Sequence, residues 1–251
     1  MTDRSHWQTW QRSWDRQQEW YLPDREERFR VMIDLVEAVA GPAPRVLDLA
    51  CGTGSITERL LARLPGATSV GVDQDPALMA IARGLFADEP RFTLVTADLK
   101  DPHWADRLPA GRFDAVVTAT ALHWLRTDDL TRLYQDLAGL LRPGGVLLNA
   151  DHAPEEEAIP LLTAADEAFQ QRRQAREKAE GVLDWAEWWA AAEADPLLAE
   201  HVAARKAVYG SHAEGQSHPA GWHTTRLTAA GFREAGVAWR SVTDALVAAV
   251  R

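Results

Sequence analysis

Arg45-Val46-Leu47-Asp48-Leu49-Ala50-Cys51-Gly52-Thr53-Gly54-Ser55 decides how this chain is read. Val46, Leu47 and Leu49 supply the apolar run of a strand covered on both faces, as in parallel sheets. Gly52 and Gly54 permit positive φ and let backbone approach a ligand closely. Ser55 and Glu58 make the S-x-x-E pattern of a capping box, so a helix is expected to open here. Strand, glycine turn and helix start together leave free N–H groups above a sheet edge, where nucleotide-like ligands bind.

Outward from this turn, strands and helices alternate. A helix over 56–64 ends at Pro65-Gly66, and a strand over 69–72 runs into Asp73-Gln74-Asp75-Pro76. Asp75 suits an N-cap and Pro76 the first helical position. A helix over 77–87, a strand over 92–95 and a strand over 113–118 follow. Then come a helix over 130–141, Arg142-Pro143-Gly144-Gly145 and a strand over 146–149. The alternation predicts an α/β, doubly wound parallel sheet with every strand-to-helix turn on one edge. From Glu155 to Arg205 the chain turns helical and charged. Ser211 to His223 reads as a Gly/His/Pro loop, 227–232 as a short helix, and 237–242 and 245–250 as closing strands. The expected organisation is a helical cap over 1–40, a core over 41–152, a helical lid insertion over 153–223, and a return to the core over 224–251.

Net charge is −10 over 251 residues, with no basic run, which disfavours nucleic acid as substrate. The single cysteine, Cys51, excludes an intrachain disulfide and fits a reducing compartment; inside the turn it reads as a small packing residue. No apolar run reaches the roughly 18 residues of a membrane helix, and Met1 to Trp20 lacks the apolar core of a signal peptide. A soluble, cytoplasmic protein with no membrane partner is expected.

The dinucleotide fingerprint requires glycine or alanine at a third position, and here Thr57 stands there, so the tight helix–sheet contact is expected to be missing. Asp73 closes the second strand nineteen residues past Gly54, where a carboxylate accepts from ribose hydroxyls, and Asp98 closes the third, beside an adenine. Asp48, Asp73 and Asp98 on one edge oppose a pyrophosphate and suit a ligand carrying a sulfonium and an ammonium.

Asp48-Leu49-Ala50-Cys51-Gly52-Thr53-Gly54, Gly71-Val72-Asp73, Ala97-Asp98-Leu99, Phe113-Asp114-Ala115-Val116-Val117 and Leu141-Arg142-Pro143-Gly144-Gly145 occur in order over about 45–149. The set resembles the successive motifs of class I S-adenosylmethionine (SAM)-dependent methyltransferases. The resemblance implies a Rossmann-like, seven-stranded sheet with its last strand antiparallel, and SAM as cofactor. It places Asp48, Ala50, Cys51, Gly52 and Gly54 around the methionine part, Asp73 on the ribose, and Gln74 flanking adenine. Asp98 and the Leu99 amide fall at the adenine edge, and Ala119 near the methyl group. Ala50 stands where the motif usually has its first glycine and is expected to need only negative φ.

Methyl transfer to an O–H or N–H acceptor needs alignment, exclusion of water and removal of a proton. His123, in Leu122-His123-Trp124 after the fourth strand, is the candidate base, and Trp124 reads as core. Asp151-His152 ends the fifth strand on the same edge and reads chiefly as a hydrogen-bonded loop pair. His212, Glu214, His218 and His223 do not match the spacing of a compact metal site. Arg25 and Arg30 are candidates for a ligand carboxylate, against a plain solvated face. Trp7, Trp10 and Trp14 share a helical face, and Trp185, Trp188 and Trp189 lie in the insertion; they suit a lid, ordinary packing or a dimer contact, so monomer and homodimer stay open.

The cap, the insertion and the Leu122-His123-Trp124 stretch resemble the small-molecule branch of the family, which includes trans-aconitate-type enzymes. A small-molecule acceptor is therefore expected. The competing readings are an NAD-dependent oxidoreductase on the same sheet and a SAM-binding module without turnover.

Overall fold

A computed structural model describes residues 4–155, 159–210 and 215–251. Two helices, α1 (Arg4–Tyr21) and α2 (Arg25–Ala40), precede the sheet. The core alternates β1 (Arg45–Leu49), α3 (Ser55–Arg63), β2 (Thr68–Asp73), α4 (Pro76–Leu85), β3 (Phe92–Thr96), β4 (Phe113–Ala119), α5 (Thr127–Leu140) and β5 (Leu141–His152). After β5 come α6 (Pro160–Ala179), α7 (Trp185–Ala194) and α8 (Ala199–Tyr209). The chain closes with α9 (Ala220–Ala229), β6 (Glu234–Arg240) and β7 (Asp244–Val250).

The seven strands form one sheet in the order β3-β2-β1-β4-β5-β7-β6. β1 to β5 pair in parallel, while β7 runs antiparallel to both β5 and β6. This is an α/β, Rossmann-like doubly wound sheet with its last strand antiparallel. The strand order reverses between β1 and β4, so the carboxyl ends of β1 and β4 diverge into a crevice.

Alternation along the strands divides the core between the two faces of the sheet. Leu47, Val116 and Leu147 pack with α5 and α9, through Leu133, Tyr134, Leu137 and Leu227. Val46, Ala115, Val117 and Leu148 pack on the other side with α2 and α3, through Phe29, Met32, Ile33 and Leu60. A third cluster joins α1, α4, α7 and α8, with Trp14, Leu78, Ile81, Trp188 and Val202 at its centre.

Several expectations need correction. α3 opens at Ser55, but no side chain of a capping box holds it: Gly54 is the N-cap at φ 83°, and Ser55 instead donates its hydroxyl to Asp15. The buried carboxylate of Asp48, on β1, takes the Thr57 N–H at the third helical position. The Thr57 hydroxyl also meets Asp48 and Ser69, so the position without glycine makes the helix–sheet contact by hydrogen bonding. Ala50 adopts φ 54°, a left-handed conformation that costs a non-glycine residue about 1–2 kcal/mol. The segment before the closing strands is helical from Ala220, so His223 lies in a helix; Ser211 to Glu214, including His212, lie outside the described residues.

Candidate active site

The strand ends open into one cavity of about 760 Å³. Asp48, Ala50, Cys51, Gly52, Asp73, Gln74, Asp98, Leu99, Ala119 and His123 all line it. Gly54 is not among the lining residues; its role is conformational. At φ 83° it turns the chain into α3, and a Cβ there would stand 2.5 Å from the Phe86 ring.

The acids are held by backbone before any ligand is considered. Asp73 accepts from the N–H groups of Gly52, Gln74 and Asp75 at 2.7, 2.7 and 2.8 Å. Three of the roughly four lone-pair sites of its carboxylate are thus engaged. Burial nonetheless pushes its pKa up to about 6. Burial pushes Asp48 further, to about 7, against the hydrogen bonds from Thr57. Asp48 Oδ1 is buried with no hydrogen-bond partner among the described residues. Asp98 accepts the Lys100 N–H at 2.9 Å. Asp75 caps α4 through the N–H groups of Ala77 and Leu78, as its place before Pro76 predicts, and also meets Arg205 of α8 at 2.6 Å. Burial drives the Cys51 thiol well above its ordinary pKa, consistent with packing rather than nucleophilic chemistry.

The β4–β5 end carries the imidazoles. A short 3-10 turn, Leu122–Trp124, follows β4, and Thr120 before it adopts φ 51°. His123 donates its backbone N–H to Asp151 Oδ2 at 3.1 Å, and its Nδ1 lies 2.7 Å from Asp151 Oδ1. Burial acts to raise the Asp151 pKa, but the bond from His123 holds it below its ordinary value. An ionised carboxylate only accepts, so His123 Nδ1 is the donor of this bond, and Nε2 is the ring nitrogen left to exchange a proton with a ligand. His152 makes a second such pair with Asp244, at 2.7 Å, and its ring centre lies 5.0 Å from that of His123.

Other candidates resolve differently. Trp124 is 59 % exposed and lines the cavity, so it is not core; the turn swings it outward beside His123. Arg25 also lines the cavity, buried against Asp15 at 2.8 Å rather than on a solvated face. Arg30 faces solvent, paired with Glu27 and Asp34. His223 is buried against the Tyr134 hydroxyl, with burial lowering its pKa to about 4, and His218 stacks on Trp222. Among the described residues no group of three or more His, Cys, Asp or Glu is placed to hold a metal ion. Nor does any helix among them have the length and apolarity to cross a membrane.

Residues 46–145 match the family model described as a methyltransferase domain. The matched segment holds nearly all of β1, then β2 to β4 and the start of β5, and with them Asp48, Ala50, Cys51, Gly52, Asp73, Gln74, Asp98, Leu99, Ala119 and His123 of the cavity wall, whereas Arg25 and His152 lie outside it. Its curated relatives include trans-aconitate 2-methyltransferase of Acidovorax ebreus (strain TPSY), 36 % identical over 51 % of this chain and 46 % of that protein. Trans-aconitate 2-methyltransferase of a Methylobacterium radiotolerans strain is 37 % identical over 56 % of this chain and 50 % of that protein. The chain thus spans about half the length of the curated relatives it matches. The fold extends further than this identity. The crystal structure of S-adenosylmethionine-dependent methyltransferase SibL in its apo form superposes with a TM-score of 0.59 at 20 % identity, covering 89 % of this chain and 54 % of that one.

Sequence reasoning missed the partners that lie far along the chain. Asp15 on α1 joins Arg25, Arg59 and Ser55, and so ties the N-terminal helix to the glycine turn. Arg205 and Tyr209 of α8 also line the cavity, with Arg205 on Asp75 beyond the end of β2. The tryptophan spacing in both segments was the available signal. The structure uses it for packing and for the cavity wall together: Trp188 is buried, while Trp14 and Trp185 also line the cavity.

Proposed function

We propose that this protein is a SAM-dependent methyltransferase that moves a methyl group to an oxygen or nitrogen of a small-molecule acceptor, with His123 as general base. The observation that carries this reading is Asp48 Oδ1, a buried carboxylate oxygen without a partner on the wall of an acid-rich cavity. A ligand that brings an ammonium and a sulfonium supplies the missing donor and the opposite charge; a pyrophosphate supplies neither.

In this reading Asp48 receives the ligand's ammonium, Asp73 its ribose, and Asp98 with the Leu99 amide its adenine edge. Gln74 flanks the base, and Ala50, Cys51, Gly52 and Gly54 shape the turn. Bound SAM supplies a methyl carbon activated by sulfonium. Ala119 and Thr120 leave room beside that carbon, and His123 Nε2 takes the proton of the acceptor. Asp151 fixes the ring and compensates the charge the imidazole gains. The first forty residues act as a cap and residues 153–223 as a lid over the 41–152 core, with 224–251 completing it. Their aromatic side chains exclude water from the reacting centre.

Calorimetry with SAM, S-adenosylhomocysteine and NAD tests the reading. SAM and S-adenosylhomocysteine are expected to bind and NAD not to. Tight binding of NAD with none of SAM would replace methyl transfer by hydride transfer on the same sheet. A ligand-bound structure with no space beside the methyl would favour a binding module without turnover.

A further inference from the structure

The acceptor's chemistry is written in what the cavity wall does with its charges. Five basic side chains line the cavity: Arg25, Lys100, His123, His152 and Arg205. Four of them already face a carboxylate. Arg25 meets Asp15 at 2.8 Å, Arg205 meets Asp75 at 2.6 Å, and the two histidines meet Asp151 and Asp244 at 2.7 Å each. The Arg25 pair is balanced over a wider cluster, since Asp15 also meets Arg59 at 3.1 Å and Arg59 meets Glu26 at 2.5 Å, two carboxylates for two guanidiniums. Lys100 follows β3, at the edge of the sheet away from β4 and β5. The residues outside the described segments contain no Lys or Arg. Asp48, Asp73, Asp75 and Asp98 line the same cavity, so a multiply anionic acceptor would meet net negative charge with no free guanidinium fork to bind it.

What the cavity wall offers instead is aromatic surface, with Trp124 beside His123. Tyr21, Trp124, Phe169 and Trp185 are the exposed aromatic side chains among the described residues, and all but Phe169 line this cavity. Trp185 donates its backbone N–H to the Tyr21 hydroxyl at 3.1 Å, and its ring lies 6.0 Å from that of Trp14 and 5.9 Å from the Arg205 guanidinium. Exposed, amphipathic rings around a concavity are surface for a flat apolar ligand.

Resting on the methyl-transfer reading, we propose that the acceptor is an uncharged aromatic alcohol, a phenol, and not a carboxylic acid. The base fits that choice. A phenolic O–H is the most acidic hydroxyl an uncharged acceptor offers, so His123 Nε2 can take its proton as the oxygen attacks; an aliphatic hydroxyl is a far weaker acid and a carboxylate has no proton to give. In the step the phenolic oxygen forms the bond to the methyl carbon and its proton goes to Nε2. The carbon–sulfur bond breaks with its electron pair left on sulfur. The products are an aryl methyl ether and S-adenosylhomocysteine.

The test is calorimetric titration of the whole chain, with and without S-adenosylhomocysteine, using 2-naphthol, 2-naphthoate and trans-aconitate. 2-Naphthol is expected to bind at least about tenfold more tightly than either carboxylate, and to yield 2-methoxynaphthalene by mass spectrometry when SAM is added. Equal or tighter binding of a carboxylate, or no binding of 2-naphthol, would overturn the proposal. S-adenosylhomocysteine titrated alone reports separately: its failure to bind sinks the methyl-transfer reading, while the naphthol-to-carboxylate comparison is still read on the free protein. Asp15→Asn removes the carboxylate opposite Arg25 and is expected to raise 2-naphthoate affinity several-fold, by roughly the worth of one charged hydrogen bond. No gain in a folded variant would remove Arg25 from the argument; the ligand comparison on the unaltered protein decides if the variant does not fold.

Discussion

His123 Nδ1 lies 2.7 Å from Asp151 Oδ1, a bond that joins the turn after β4, on one side of the crevice, to the end of the neighbouring strand β5. The same carboxylate also takes the His123 backbone N–H and the His152 N–H, so ring, turn and strand end share one anchor. His123→Ala is expected to lower kcat by about 10²–10⁴-fold with the KM for SAM little changed. Asp151→Asn keeps the shape but loses the ionised acceptor that selects the Nδ1–H tautomer, and is expected to lower kcat and move the acid limb of the pH–rate profile, the limb a general base sets. Unchanged kcat in both variants would reduce the pair to scaffolding.

Asp48 gives a second, independent readout. Burial holds its pKa at about 7 in the free protein, so below pH 7 the carboxyl is largely protonated. A cationic ligand favours the ionised form and lowers that pKa, so binding releases a proton. Affinity for S-adenosylhomocysteine is expected to rise with pH toward 7, by up to about tenfold per unit, and to flatten above it. Titrations in two buffers of different ionisation enthalpy count the released protons. Asp48→Asn should abolish the part of the slope nearest pH 7, leaving that of Asp73 at about 6.

Ala50 is strained where the family motif carries glycine. Its φ of 54° is left-handed, so Ala50→Gly is expected to raise stability by about 1 kcal/mol, part of the relief being offset by the freer unfolded chain. For a domain of this size that corresponds to a Tm increase of roughly 2–4 °C, measurable by thermal denaturation. A lower Tm would show that the alanine methyl contributes more through packing than its backbone loses.

What the sequence made legible follows the range of the interactions. Strand periodicity, the glycine turn and the Asp75-Pro76 cap are local, and β1 to β5 lie where those patterns place them. The left-handed conformation of Ala50 runs against the local preference of alanine, so no local pattern reports it. Trp124 is the same residue type in a core or on a cavity rim, and only the geometry of the turn after β4 separates the two. His223 reads as loop because its neighbours are Gly, His and Pro; its partner Tyr134 lies 89 residues away. Asp15 and Arg205 reach the site from helices whose sequences are legible as amphipathic but not as to what they meet.

Asp244 supports the site from behind. It takes His152 Nδ1 at 2.7 Å and the Arg28 guanidinium at 3.2 Å, with Arg28 only 2 % exposed. Burial acts to raise its pKa, but these partners bring it down to about 2. A depressed carboxylate contributes stability that is fully present above its unfolded value near 4 and is lost as pH falls through 2. His152, raised by the same bond, contributes most below about 6.5 and less as pH rises through its folded value. Asp244→Asn strands Arg28, whose Nε and Nη1 already lack partners, and is expected to cost about 3–5 kcal/mol by urea denaturation. Arg28→Met combined with Asp244→Asn should cost less than the sum of the single changes, because no buried charge is then left alone. Strict additivity would mean that Arg28 and Asp244 do not act as a pair.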